Sequence, residues 1–458
     1  MAKYRVQNPA TGEIVETFEA ATDAQIEETL AAADAAYREW RERSVQERAA
    51  VVKRVAELFE ERKDELARLI AVEMGKSIAE SLDEVEFARS IIEYYAVHGP
   101  SLITDHEIPS TIPGKAIIEQ LPVGALLGVM PWNFPYYQVA RFAAPNLVLG
   151  NTIILKHADI CARSSLTIQE IMEEAGVPVG GYQNVFASHE QIATMIADPR
   201  VQGVSLTGSE RAGGIIGEQA GRHLKKCVLE LGGNDAMVVL DSDDVASVAQ
   251  AAWDFRVYNG GQVCNSNKRL IVMDDIYDEF VAELRRLATG LEPGDQLDLG
   301  EGQYVPLSSR AAAETVNAQV QKAVAEGATL EVGGVLSEGP GAYFSPAVLT
   351  GVPRDSDSYR EEMFGPVATV YRVHSDDEAV DVANDSPFGL GGSVFSTDEA
   401  RAARVASRLD VGMTHVNTIA AEAAELPFGG VKRSGFGREM GPVGIGEFAN
   451  RRLRFVAK

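Results

Sequence analysis

KAIIEQ (115–120), GALLGVM (124–130), NTIILK (151–156), SSLTIQEIMEEAG (164–176), QNVFAS (183–188) and GVSLTG (203–208) alternate strand-like with helical texture. Short apolar runs separated by helix-length segments are the mark of βαβ units around a parallel sheet. A second series begins after Gly233, with DAMVVL (235–240), the helical run DDVASVAQAAWDFRVYNG (243–260), KRLIVM (268–273), a helix through Asp278 to Thr289 and further α/β segments past Glu361. The pattern predicts two α/β domains joined near Leu231 to Asn234. Upstream the chain opens with helices. Thr22 or Asp23 caps the run QIEETLAAADAAYREW (25–40), and Ser44 with Glu47 forms a capping box for a second helix. There Val52, Val55, Leu58 and Phe59 recur at helical spacing and so share one buried face. A third helix is expected near Ser81 to His98, and the basic, strand-like end RRLRFVAK (451–458) suits an edge against a partner chain.

Composition bounds what such a chain does. Its 458 residues suggest about three structural units, and 45% apolar residues suffice for large cores. With 67 Asp plus Glu against 42 Lys plus Arg, the net charge of −25 repels polyanions, which argues against nucleic acid and anionic membranes as partners. The basic residues are 12 Lys and 30 Arg, so the carboxylate-rich, lysine-poor surface reads either as adaptation to high salt or as compositional bias. Three cysteines at wide spacing (Cys161, Cys227, Cys264) give no disulfide framework. The start lacks the apolar core of a signal peptide, and the longest nearly apolar run, Leu121 to Pro131, is too short to span a bilayer. A soluble, cytoplasmic protein is expected.

Four segments hold residues suited to chemistry. Cys264 follows two glycines in NGGQVCNSNKR, a setting that turns the backbone tightly and leaves sulfur approachable as a nucleophile; a buried small hydrophobe is the other reading. Glu230 ends the apolar run in CVLELGGND, where desolvation would raise its pKa towards that of a general base for water, or it joins a salt bridge. Asn133, stiffened between Pro131 and Pro135, is either an oxyanion donor or a turn residue. Gly208 and Ser209 lie where GVSLTGSERAGGIIG passes from strand to helix, a place for a phosphate or a plain turn. The seven histidines are scattered without ligand spacing, so no metal site is expected.

Taken together, PWNFP (131–135), LTGSERAG (206–213), ELGG (230–233), GQVC (261–264), EEMFGPV (361–367) and PFGGVKRSGFGRE (427–439) resemble the aldehyde dehydrogenase superfamily over nearly the whole chain. The resemblance implies Cys264 as nucleophile, Glu230 as general base and Asn133 as oxyanion holder. It implies Trp132, Lys156, Asp159, Gly208, Ser209, Leu231, Glu362 and Phe364 as contacts of NAD, with NADP possible. Asp159 stands where many relatives carry Glu or Ser, and a carboxylate there favours a 2′-hydroxyl over a 2′-phosphate. PWNFPYYQVARFAAPNLVLGN, LKHAD and LKKCVLELGG are most similar to the succinate-semialdehyde dehydrogenase branch. Arg141 matches that branch's grip on the substrate carboxylate, with a structural ion pair as the alternative, whereas Tyr258 and Ala423 stand where other polar contacts are expected. Ser266 replaces a second cysteine that some members use for redox switching.

The implied fold is α/β and aldehyde dehydrogenase-like. Residues 1–103 and 123–232 form a Rossmann-like cofactor domain, 233–434 an α/β catalytic domain, 104–122 and 447–458 a small oligomerisation element, and 435–446 a return segment on the cofactor domain. The expected activity is NAD(P)-dependent oxidation of succinate semialdehyde or a similar short acidic aldehyde, by a homodimer or homotetramer. Oxidation of another small aldehyde, or a non-catalytic homologue, are the alternatives.

Overall fold

The computed structural model describes residues 4–458; the first three positions of the 1–103 segment lie outside the described residues. The chain opens not with a helix but with a hairpin, Tyr4–Gln7 against Ile14–Phe18. Its second strand is largely exposed, and a distant bond from the Tyr4 hydroxyl to Ala187 O (2.8 Å) helps hold the hairpin, so local patterning carries no trace of it. Four helices follow: α1 (Asp23–Trp40), α2 (Val45–Glu61), α3 (Lys63–Met74) and α4 (Ile78–Leu102). Thr22, Ser44 and Ser77 cap three of them through capping boxes with Gln25, Glu47 and Glu80. Helix α3 has no counterpart among the expected helices; Arg62 separates it from α2, and it ends at Gly75 in a left-handed conformation (φ 84°).

A six-stranded sheet comes next, ordered Gly435–Phe436, Lys226–Glu230, Val201–Thr207, Ala125–Val129, Thr152–Lys156, Tyr182–Asn184, parallel except for its first strand. Its helices are α5 (Tyr137–Leu149), α6 (Ala162–Glu174), α7 (His189–Ala197) and α8 (Glu210–Arg222). Every residue of α5 is buried. Such a helix needs partners for the orphan groups at both ends. Glu84 of α4 accepts from the N–H groups of Tyr136 and Tyr137, and Arg48 of α2 donates to Val148 O and Leu149 O (2.9 and 3.1 Å). A carboxylate at the positive end and a guanidinium at the negative end also complement the helix dipole.

The second sheet has seven strands, ordered Thr329–Val332, Ala347–Thr350, Val367–Val373, Arg269–Met273, Ala236–Val239, Gly391–Phe395, Met413–Val416, all parallel but the first. Between its strands Ala236–Val239 and Arg269–Met273 runs α9 (Val245–Val257), shorter than the expected helix because Asn259 and Gly260 adopt left-handed φ values of 54° and 60°. KAIIEQ, grouped by its texture with the parallel runs, lies instead in the antiparallel strand Gly114–Pro122, paired along its length with Ala449–Ala457 and at one end with His106–Ile108. The closing basic segment thus pairs within the chain on one side and forms the edge of this three-stranded sheet on the other. No helix among the described residues is long and apolar enough to cross a membrane.

Candidate active site

In an open parallel sheet, ligands bind beyond the carboxyl ends of strands where the winding reverses. In the six-stranded sheet that point lies between Ala125–Val129 and Val201–Thr207. The first strand runs into Pro131, Trp132 and Asn133, the second into Gly208 and Ser209. These residues wall a cavity of about 260 Å³ whose other sides are Gln138, Thr207, Leu231, Gly232, Cys264, Glu362 and Phe364. Trp132 and Phe364 meet edge to face (centroids 5.8 Å apart).

Cys264 reaches the cavity from the turn after α9. At Gly261 (φ 72°) a Cβ would collide with the Gly365 carbonyl, so only glycine lets the chain pass. Cys264 is half-buried, and desolvation pushes its thiol up to about 12, against the opposing fields of Arg141 and Lys268. The Asn133 amide donates to Gln262 O (3.0 Å), which sets it on the backbone two residues before the sulfur. An amide nitrogen carries two hydrogens, so this bond spends one of them.

Glu230 ends its strand 2% exposed, with both carboxylate oxygens free of hydrogen-bond partners. Burial holds its carboxyl well above the usual range, with Arg141 the chief opposing influence. Its Oε1 lies against Gly429, where a Cβ would come within 2.7 Å. Arg141 is 1% exposed: it forms a buried ion pair with Glu439 and donates to the Tyr137 hydroxyl and Thr207 Oγ1 (both 3.2 Å). Tyr258 stacks near Phe134 (6.3 Å).

On the cofactor side, Ser209 caps α8 through the N–H of Ala212, so the hydroxyl and the free N–H groups of the first turn lie together. Space over Gly208 is open: a Cβ there would meet only Leu206 Cδ2, at 3.8 Å. Leu231 is fixed by its N–H to Ser434 O (3.0 Å). At the end of Thr152–Lys156, Lys156 Nζ pairs with Asp159 Oδ1 (2.7 Å). Glu362 takes the Gly233 N–H (3.2 Å) and pairs with Lys268 (3.1 Å). These groups suit a dinucleotide: donors at a helix N-terminus for a diphosphate, carboxylate and ammonium groups for ribose hydroxyls, and aromatic rings beside the cysteine.

Three residues in or beside the cavity lie outside the motifs that pointed to it. Lys268 is buried under the nucleophile's turn, donating to Val263 O and Cys264 O (both 2.7 Å); a lysine four residues after Cys264 was the available signal. Gln138 lines the cavity with neither amide atom partnered. Glu422 is exposed at the surface yet accepts from Asn265 Nδ2 (2.5 Å), and lies close enough to Cys264, Tyr137 and Tyr258 for its charge to act on each. Desolvation by the surrounding loops raises its carboxyl above the usual range. Nothing local in the sequence marks Gln138 or Glu422.

The model of the aldehyde dehydrogenase family matches residues 1–453. Over 98% of this chain and 94% of the relative, the chain is 53% identical to a succinate-semialdehyde dehydrogenase [NADP(+)] of Deinococcus radiodurans. It is 39% identical to a succinate semialdehyde dehydrogenase [NAD(P)+] of Escherichia coli, over 97% of this chain and 96% of the relative. Among solved structures, succinic semialdehyde dehydrogenase from Streptococcus pyogenes in complex with NADP+ superposes with a TM-score of 0.96 at 39% identity, covering 99% of this chain and 100% of that one.

Proposed function

The chain belongs to the aldehyde dehydrogenase family, and from that premise we propose that it oxidises succinate semialdehyde to the dicarboxylate with NAD(P)+ as electron acceptor. The observation that carries this reading is the shared cavity, where Cys264 and Asn133 face Gly208, Ser209, Glu362 and Phe364. The Cys264 thiol and the dinucleotide contacts then meet in one space.

Cys264 gives up to water the thiol proton that burial otherwise holds, and the thiolate adds to the aldehyde carbon, forming a C–S bond and an alkoxide. Asn133 Nδ2 and the Cys264 N–H hold that charge as it develops, a contribution of about 3–4 kcal/mol for one well-placed donor. Bound NAD(P)+ supplies the hydride acceptor. Collapse of the alkoxide leaves a thioester on Cys264. Glu230, kept basic by its dry surroundings, takes a proton from the attacking water, and the acid leaves as the thiolate is restored. Trp132, Leu231, Glu362 and Phe364 orient the nicotinamide end; Lys156 and Asp159 hold the adenosine ribose. Because Lys156 offsets the charge of Asp159, a 2′-phosphate is tolerated there, and the relatives' use of NADP(+) is consistent with this.

Arg141 attracts the substrate carboxylate through its charge and through the second hydrogens of its two terminal nitrogens, which the contacts with Glu439, Tyr137 and Thr207 leave over. Residues 1–103 and 123–232 serve as cofactor domain, 233–434 as catalytic domain. The strand Ala449–Ala457 leaves one edge free and exposes Leu453, Phe455 and Val456, which a second copy of the chain would cover in a homodimer or homotetramer. All three cysteines are unpaired, in keeping with a reducing cytoplasm. The deciding experiment compares kcat/KM for succinate semialdehyde and butanal by reduced-cofactor absorbance. A clear preference for the acid supports the assignment; equal values move it to another small aldehyde.

A further inference from the structure

The backbone from Trp132 to Tyr137 is gripped from behind by side chains that take no part in the chemistry above. Cys161 Sγ approaches Trp132 O (3.8 Å), Asn259 Nδ2 donates to Asn133 O (2.9 Å), and His157 Nε2 bonds Pro135 O (2.9 Å). Burial lowers His157 to about 4, so it serves this carbonyl as a neutral donor. Glu84 Oε1 takes the next two N–H groups, Tyr136 (2.8 Å) and Tyr137 (3.2 Å), while its Oε2 pairs with Lys76; both side chains are fully buried. Lys76 Nζ in turn sits 3.7 Å from the centre of the Phe134 ring.

One turn earlier on α4, Glu80 Oε1 accepts the N–H of Asn259 (2.9 Å), the residue held at φ 54° in the turn that leads to Cys264. The Asn259 amide also donates to Gln262 O (3.4 Å), the same carbonyl that Asn133 uses. Two carboxylates four residues apart share one face of a helix. Here one holds the segment bearing Asn133 and the other the segment bearing Cys264. A left-handed asparagine is costly unless its surroundings enforce it, and the Glu80 bond is part of that enforcement.

We infer that Glu84 and Glu80 are positioning residues: α4 acts as a common ruler that sets the Asn133 amide against the Cys264 sulfur. This rests on the oxyanion and nucleophile roles proposed above. The bland alternative is a buried polar network that stabilises the fold without affecting the distance between amide and sulfur.

The test compares two double variants of the full-length enzyme, each removing both buried charges. Lys76→Met with Glu84→Met leaves Tyr136 and Tyr137 without an acceptor; Lys76→Met with Glu84→Gln keeps one. The acceptor-free variant should lose about ten- to a hundredfold in kcat, the scale of a misplaced catalytic group. The Gln variant should recover most of that loss. KM for the cofactor and the alkylation rate of Cys264 should stay near wild type in both. In an Asn133→Ala background the two should have equal kcat, because the amide they position is gone. Equal kcat of the pair in the Asn133→Ala background and unequal kcat with Asn133 present supports the inference. Equal kcat in both backgrounds, or losses that multiply with Asn133→Ala, overturns it and leaves a structural role. If Asn133→Ala alone does not slow the enzyme, the oxyanion assignment fails instead, and the inference with it. Should the double variants not fold, Glu80→Leu against Glu80→Gln poses the comparison at a half-buried position, with Ser77→Ala, which disturbs only the helix cap that Glu80 also serves, as the control expected to keep wild-type kcat.

Discussion

Each of the two sheets has a point where its winding reverses, and the two points have opposite contents. In the six-stranded sheet the strand ends diverge into Asn133 and Ser209 and leave a cavity that takes in Cys264. In the seven-stranded sheet the reversal falls between Ala236–Val239 and Gly391–Phe395, and there the chain fills its own crevice. Arg401 pairs with Asp241 (2.7 Å) and Asp376, while Asp241 also takes Ser396 Oγ and the Thr397 N–H. The same topology thus makes a ligand site once and a closed ionic plug once. Topology offers the crevice; side chains decide whether it stays open.

The largest effect that would test this contrast is at the open end. Cys264→Ala should abolish aldehyde oxidation while cofactor still binds, read by fluorescence of the bound reduced form; residual turnover would remove the sulfur from the mechanism. Next, Asn133→Ala should lower kcat by about 10²–10³. Alkylation of Cys264 in the cofactor-free enzyme should speed up with every unit of pH through the neutral and alkaline range, since its thiol titrates at about 12 and only the thiolate reacts. A plateau near neutrality would show that burial does not control this group. A smaller effect belongs to Glu422: its carboxylate opposes an incoming anion, so Glu422→Gln should raise kcat/KM for succinate semialdehyde over butanal severalfold, on the scale of about 1 kcal/mol for a partly screened pair. Unchanged selectivity would take Glu422 out of the entry path. The smallest change in rate is expected at the plug, where Arg401→Met should leave kcat within about twofold and cost about 1 kcal/mol of stability, discounted for its partial exposure. A large loss of activity there would show that the second crevice is not inert.

How much of this was legible in the sequence varies with range. The capping box of Ser44 and Glu47 acts over three residues, and the βαβ texture acts between neighbouring elements, so both could be read directly. The opening hairpin and α3 could not, because the first depends on Tyr4 reaching Ala187 and the second on a break with no Gly or Pro to announce it. KAIIEQ alternates like any strand, and only its pairing with the far end of the chain sets it apart from the parallel sheet.

Residue chemistry and order by themselves determined which family the chain resembles and which thiol, carboxylate and amide stand at matching positions. Those are properties of short motifs. The tertiary structure alone decided that Arg141 pairs with Glu439, that Lys156 neutralises Asp159, that Glu422 faces the nucleophile's turn, and that α4 joins two distant segments. Each of those is a charge or hydrogen bond whose strength depends on burial and on a partner's distance in space, and a linear sequence specifies neither until it is folded.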